Sequence, residues 1–177
     1  MRQVRWAVVV LYVASIYLTI PFATRAWLAL SDWLHVSPGR LSAALLSTAA
    51  VVVAVAILRR SRPSTSTTVG LAGSGAAYAH LLAYAFVEPI ERIHLIEYGA
   101  LPWLIWWALG RQQTVQTLTV TWVLSAGVGI FDELIQHFTP GRFGELRDIL
   151  INWESSALGL ALMALAARNH RTAEPEA

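Results

Sequence analysis

The stretch FDELIQHFTPGRFGELRD, residues 131–148, sets acids, arginines, a His and a Gln between two long apolar runs. Those runs, Thr114 to Phe131 and Ile149 to Ala167, each approach the roughly 20 mostly apolar residues that a membrane-crossing helix needs. If the first continues as helix past Phe131, Asp132 and Gln136 fall four apart, as do Glu133 and His137, and two adjacent polar ridges result. Pro140 and Gly141 then predict a turn, with Arg142 directly after it. Asp148 and Asn152, again four apart, open the next helix. A segment this polar between spans this apolar is where function is expected.

Composition supports reading the runs as spans. The chain has 177 residues, 56% of them hydrophobic and 14% charged, and a mean hydropathy of +0.53. That is more apolar and less charged than a soluble domain, so an integral membrane protein is expected. The absence of Cys excludes disulfides, thiol chemistry and thiolate metal sites. All thirteen basic residues are Arg, and a net charge of +2 is too small and too scattered for nucleic acid. Trp6 to Thr24, Leu41 to Leu58, Val69 to Val87 and about Pro89 to Leu109 read as further spans. The expected fold is therefore an all-α polytopic bundle of about six transmembrane helices in one domain, residues 1–177. Its first run reads as a span rather than a cleavable signal, because it ends without a small-residue cleavage site. Gly70, Gly73 and Gly75 predict that the third helix sits inside the bundle. Six spans put both ends on one side, and that side collects eight Arg against five on the other. The excess predicts cytoplasmic termini, a cytoplasmic tail over residues 168–177 and an extracytoplasmic position for residues 131–148.

Ionisable groups inside a membrane are costly, so their positions carry information. With Pro89 at the first helical position, the fourth helix places His94, Glu97 and Tyr98 on neighbouring faces more than a turn inside it. Three helices thus bring polar groups to one level of the bilayer. The bland alternative makes Asp132, Glu133, Arg142, Glu145, Arg147 and Asp148 a solvated loop. Glu97, Asn152 and Glu154 resist it, since each lies inside an apolar run, although Glu154 is seven residues from Arg147 and reads as charge-compensated. His80, Tyr84 and Glu88 share one face of the third helix, and Asp32 and His35 read as surface residues. Trp103, Trp106 and Trp107 suit an interfacial belt.

The string Asp132-Glu133-x-x-Gln136-x-Phe138-x-Pro140-Gly141-Arg142, followed by Asp148-x-x-x-Asn152, resembles the VanZ-like family of bacterial membrane proteins. His94-x-x-Glu97-Tyr98 resembles that family's upstream motif, and the likeness covers roughly residues 88–167. The chain departs from the pattern twice. Ile135 stands before Gln136 where many members carry His, with His137 following instead, and Ser155 stands where Gly is usual. The resemblance implies envelope biology of the kind linked to teicoplanin resistance and a bacterial cytoplasmic membrane. It names no reaction.

The residues themselves point to an enzyme open to the outer leaflet. Glu97, Asp132, Glu133 and Asp148, with His94, are the expected catalytic acid–base groups, Glu97 foremost as the most deeply placed acid. Gln136, Arg142, Asn152 and Tyr98 would bind substrate, Arg142 gripping a phosphate or carboxylate bidentately. Hydrolysis or transfer on a lipid-linked glycan or another lipid headgroup fits that depth. The alternative is a binder without chemistry, holding a lipid-linked cell-wall precursor or a lipoglycopeptide. No cofactor is expected, with a divalent metal on His94, Glu97 and Asp132 as the minor variant. A transporter fits less well, because the charges lie near one face rather than at the midplane.

Overall fold

The computed structural model describes residues 2–59, 64–84, 89 and 91–171. Among them the chain forms seven α-helices and no strand: α1 (Arg2–Thr19), α2 (Ala23–Trp33), α3 (Pro38–Leu58), α4 (Thr65–Tyr84), α5 (His94–Ala108), α6 (Val115–Phe138) and α7 (Leu146–Arg171). A single 3-10 turn, Glu91–Ile93, precedes α5. The expected end of the third span at Val87, Glu88 ahead of the fourth, linker residues 61–63 and the tail beyond Arg171 lie outside the described residues.

Three helices have the length and apolarity to cross a membrane, namely Pro38–Ile57 of α3, all of α6, and Leu146–Ala167 of α7. The bent pair α1 and α2 makes a fourth if it is one span. Helix α5, with 15 residues, is about 22 Å long and falls short of the ~30 Å hydrocarbon layer. Helix α4 has the length over its described residues but, rich in Ser, Thr and Gly, lacks the apolarity. Side-chain placement supports the same class. Along α6, Val120, Val123, Leu124, Ile130, Phe131 and Leu134 are exposed, whereas Thr121, Ser125, Asp132, Glu133 and Gln136 are buried. Water would disfavour that arrangement; hydrocarbon favours it. The buried hydroxyls bond within the helix, Thr121 donating to the Thr117 carbonyl at 2.7 Å and Ser125 to the Thr121 carbonyl at 2.9 Å.

Several boundaries differ from expectation. The run from Trp6 to Thr24 is not one helix: α1 stops at Thr19, just ahead of Pro21, and α2 leaves at 80°. Proline removes a backbone donor and pushes the preceding residue out of helical geometry, which explains the break. Helix α2 then fills much of the stretch between the first two expected spans. The fourth helix begins at His94, not Pro89, which lies in a turn, so His94 and Glu97 occupy its first turn rather than its interior. Helix α6 starts beyond Thr114, whose hydroxyl accepts from the Thr117 N–H at 3.1 Å. It then runs unbroken to Phe138, as the spacing of its polar ridges predicts.

Helix α5 is the central element, packed most extensively on α7 and also on α1 and α6. Its buried residues Leu95, Tyr98, Leu101, Pro102, Ile105 and Ala108 recur every three or four positions. The crossing with α7 depends on Gly159, where a Cβ would collide with the Gly99 carbonyl. Trp103 Nε1 donates to the Gly159 carbonyl at 2.9 Å and locks the same crossing. At the other end of α5, the Arg5 guanidinium donates to the Trp107 carbonyl at 3.1 Å and stands 5.4 Å over the Trp107 ring. Two of the three tryptophans expected as an interfacial belt therefore also tie helices together. Helix α4 packs by one face only: Gly70 meets Leu165 of α7, the Tyr78 hydroxyl lies against Gly99 of α5, and Ser74 and Leu81 are buried, whereas Gly73 and Gly75 face open space.

Candidate functional site

The last turns of α6 place Asp132, Glu133 and Gln136 on its inward face, at 1%, 3% and 2% exposure. They are not a solvated loop. The Gln136 amide Nε2 donates to Asp132 Oδ2 and to Glu133 Oε1, both at 3.2 Å, and so bridges the two acids. Its Oε1 accepts from Arg142 Nη2 at 2.6 Å, while Arg142 Nη1 donates to Thr24 Oγ1 of α2 at 2.8 Å. A polar chain thus runs from two carboxylates through an amide and a guanidinium to another helix.

Arg142 reaches back because the chain reverses at Gly141, which has φ +79°. The turn is closed by the Arg142 N–H donating to the Thr139 carbonyl at 3.1 Å. Gly144 then packs on the Glu133 carbonyl, and the Glu145 N–H donates to Glu133 Oε2 at 3.2 Å. A branched residue at position 141 would sit in the left-handed region at a cost of roughly 1–2 kcal/mol. Gly141→Val is therefore expected to lower the thermal midpoint of the purified protein by a few degrees, roughly 2–4 °C per kcal/mol. Gly141→Asn, which tolerates that region, should recover most of the loss; equal midpoints for Val and Asn would discount the turn.

From α5, His94 Nε2 approaches Asp132 Oδ2 at 3.9 Å, and Glu97 lies one turn on within electrostatic reach of both. Tyr98 is fully buried with its ring edge-on to His94, centroids 5.8 Å apart. Its hydroxyl is turned toward Asp132 without reaching good hydrogen-bond geometry, so Tyr98 Oη and Asp132 Oδ1 are both buried and unpartnered. Helix α1 is fastened across the site by Tyr12, donating to the Glu97 carbonyl at 3.0 Å, and by Tyr17, donating to the Val128 carbonyl at 2.9 Å.

These residues surround a cleft of about 240 Å³ with two unlike walls. One wall carries Glu91, His94, Glu97, Asp132, Gln136 and Arg142. The other carries Ile16 and Ile20 of the α1 end, with Ala23, Ala26, Trp27 and Leu30 of α2. The last four recur at helical spacing, so α2 turns one apolar stripe inward. That spacing is present in the sequence, but it straddles the expected end of the first span at Thr24. Thr24 and Glu91, which hold the two arginines of the site, carried no such signal.

The fold brings five expected residues, His94, Glu97, Asp132, Gln136 and Arg142, to one cleft, with Glu133 joined behind them through Gln136. Other expectations change. Glu97 is half-buried at the cleft, and Asp132 and Glu133 are less exposed to solvent than it is. Asp148 does not line the cleft, and its Oδ1 accepts from Arg147 Nε at 3.1 Å. Tyr98 and Asn152 are at 0% exposure, outside the lining; Asn152 packs over Gly129, and both its polar atoms are unpartnered. Arg147 does not compensate Glu154, which is exposed. Its Nη2 instead donates to both Glu91 oxygens, at 3.1 and 3.0 Å.

The model of the VanZ/LLP1 family matches residues 8–167, most of the chain and far more than the motif region alone. Neither a curated protein nor a solved structure matches it.

Proposed function

This chain belongs to the VanZ/LLP1 family, and we propose that it is a cell-envelope membrane protein that performs hydrolysis or group transfer on the head of a lipid-linked glycan or another lipid. The observation that carries this reading is the cleft with two walls, one of acids, His and Arg and the other of aliphatic and Trp side chains. An amphiphile fits such a shape. Its tail is already in hydrocarbon and gains little from the apolar wall, so that wall selects and positions while the polar wall supplies affinity. Arg142 suits the task, being held by Gln136 and Thr24 and having no ion pair within 4.0 Å among the described residues. Its charge is directed at a phosphate or carboxylate.

For the chemistry, Glu97 and Asp132 stand beside His94 in the same cleft. One of these groups takes the proton of an attacking water or hydroxyl, and another returns a proton to the oxygen that leaves with the cut bond. The proposed topology has six crossings, α1, α3, α4, α5, α6 and α7, the short α5 being extended by the 3-10 turn Glu91–Ile93 before it. Helix α2 lies along the membrane surface, where its 80° departure from α1 directs it. Both termini are then cytoplasmic and the cleft opens on the extracytoplasmic side, a reading supported by the eight-to-five distribution of Arg.

The test is purified chain in detergent, incubated with radiolabelled bacterial envelope lipid, with products resolved by thin-layer chromatography. Wild type should release or exchange the polar head, and Glu97→Gln and Asp132→Asn should each slow this by about 10²–10⁴-fold. Full activity in both variants sinks the assignment. Lipid retained but chemically unchanged by wild type would leave the non-catalytic binder of a lipid-linked precursor or lipoglycopeptide.

A further inference from the structure

We infer that His94, Asp132 and Glu133 bind one divalent transition-metal cation, of the zinc or manganese class, at the inner end of the cleft. Each offers a ligand atom, and these atoms lie within 4.8 Å of one another. The pair His94 Nε2 and Asp132 Oδ2 is 3.9 Å apart. A cation with bonds of about 2.0–2.2 Å spaces its donors roughly 3–4 Å apart, so side-chain adjustments of well under an ångström close the set. The sequence suggested His94, Glu97 and Asp132. The fold keeps His94 and Asp132 together and brings Glu133 of α6 to them in place of Glu97.

A second observation concerns buried charge. Asp132 and Glu133 are adjacent and buried, and no arginine among the described residues pairs with either. Arg142 reaches them only through Gln136, and Arg147 is taken by Glu91, Glu145 and Asp148. One Gln136 amide group is shared by both acids. Asp132 Oδ1 is buried without a hydrogen bond of good geometry, and so is the Tyr98 hydroxyl turned toward Asp132. Buried carboxylates are tolerated when they are paired or when they hold a metal. A cation here supplies the positive charge that the two buried carboxylates lack, while Gln136 orients both through Asp132 Oδ2 and Glu133 Oε1 and the Glu145 N–H holds Glu133 Oε2.

The donor set selects the ion class. One imidazole with two carboxylates suits zinc or manganese, the imidazole disfavours magnesium and calcium, and the absence of Cys disfavours soft copper(I). His94 also lines the cleft, so a metal held there is within reach of a bound headgroup. That it would polarise a phosphoryl or carbonyl oxygen rests on the proposed function; metal binding itself does not.

The experiment uses the full chain, purified in detergent without chelator and without a histidine tag, followed by elemental analysis. After chelator treatment, zinc and manganese salts are titrated separately by calorimetry. One cation per chain is expected. His94→Ala, Asp132→Asn and Glu133→Gln should each weaken binding by about 100-fold or more, and Gln136→Leu by about tenfold. His137→Ala and Glu154→Gln, at exposed positions, should bind as wild type. No saturable binding by folded wild type, or unchanged affinity in all three ligand variants, overturns the inference. If the variants do not fold, X-ray absorption on zinc-loaded wild type decides: a single imidazole with oxygen ligands supports the site, and any other number of imidazoles overturns it. Lipid turnover by metal-free protein that binds no added metal refutes the metal alone. Stoichiometric metal without turnover supports the site while the enzymatic reading fails.

Discussion

Gly159→Leu is expected to leave little folded protein after detergent extraction. A Cβ at that position overlaps the backbone of Gly99, and a backbone cannot rotate aside as a side chain can. Overpacking that side chains can relieve costs about 1–3 kcal/mol, and this clash would separate the most extensive helix pair in the molecule. The bond from Trp103 Nε1 to the Gly159 carbonyl, 2.9 Å long, would be lost with it, adding about 1 kcal/mol. A total near or above ~3 kcal/mol is a large part of a typical domain's stability. Size-exclusion profiles and thermal midpoints provide the measurement, with Gly73→Leu as control because open space surrounds Gly73. A Gly159→Leu protein that elutes and melts like wild type would show that α5 and α7 do not cross there.

The second large effect is expected at Arg142. Arg142→Leu removes the 2.6 Å bond to Gln136 and the 2.8 Å bond to Thr24, and takes away a positive charge that acts on both Asp132 and Glu133. Removing one partner of a fully buried charge pair costs about 3–5 kcal/mol. Arg142 is half-buried and acts through an amide, so about 2 kcal/mol of stability is the discounted expectation. Headgroup affinity should fall about 30-fold or more, the equivalent of ~2 kcal/mol. Arg142→Lys should fall between, since an ammonium on a flexible stem cannot hold Gln136 and Thr24 in one fork. Thr24→Ala should cost about 1 kcal/mol and loosen α2 without removing the charge. Vesicle binding at several fractions of anionic lipid, together with thermal midpoints, checks the series. Wild-type behaviour of Arg142→Leu in both would remove Arg142 from the site.

Much of the candidate site is legible along single helices. The spacing of Asp132, Glu133 and Gln136 places them on one face of any helix long enough to contain them, and α6 is that helix. Pro140 and Gly141 likewise announce the turn that returns Arg142. Solvent exposure is less legible. Glu97 lies in an apolar run, yet exposure depends on what covers a residue, and Asp132 and Glu133 are the less exposed acids. Arg147 shows the same gap: the candidate partner on its own helix was seven residues away, and the partner it takes is 56 residues away.

From its sequence alone the chain is an all-helical membrane protein with a polar, acid-rich stripe ending in a turn and an arginine. Those features follow from composition and from the 3.6-residue period of one helix, both of which are local. The tertiary structure decided that His94 faces Asp132 at 3.9 Å, that Arg142 reaches Thr24 across 118 residues, and that the apolar stripe of α2 becomes the second wall of the cleft. These depend on how helices cross, and the crossings depend on contacts such as Gly159 on Gly99 that no local pattern encodes.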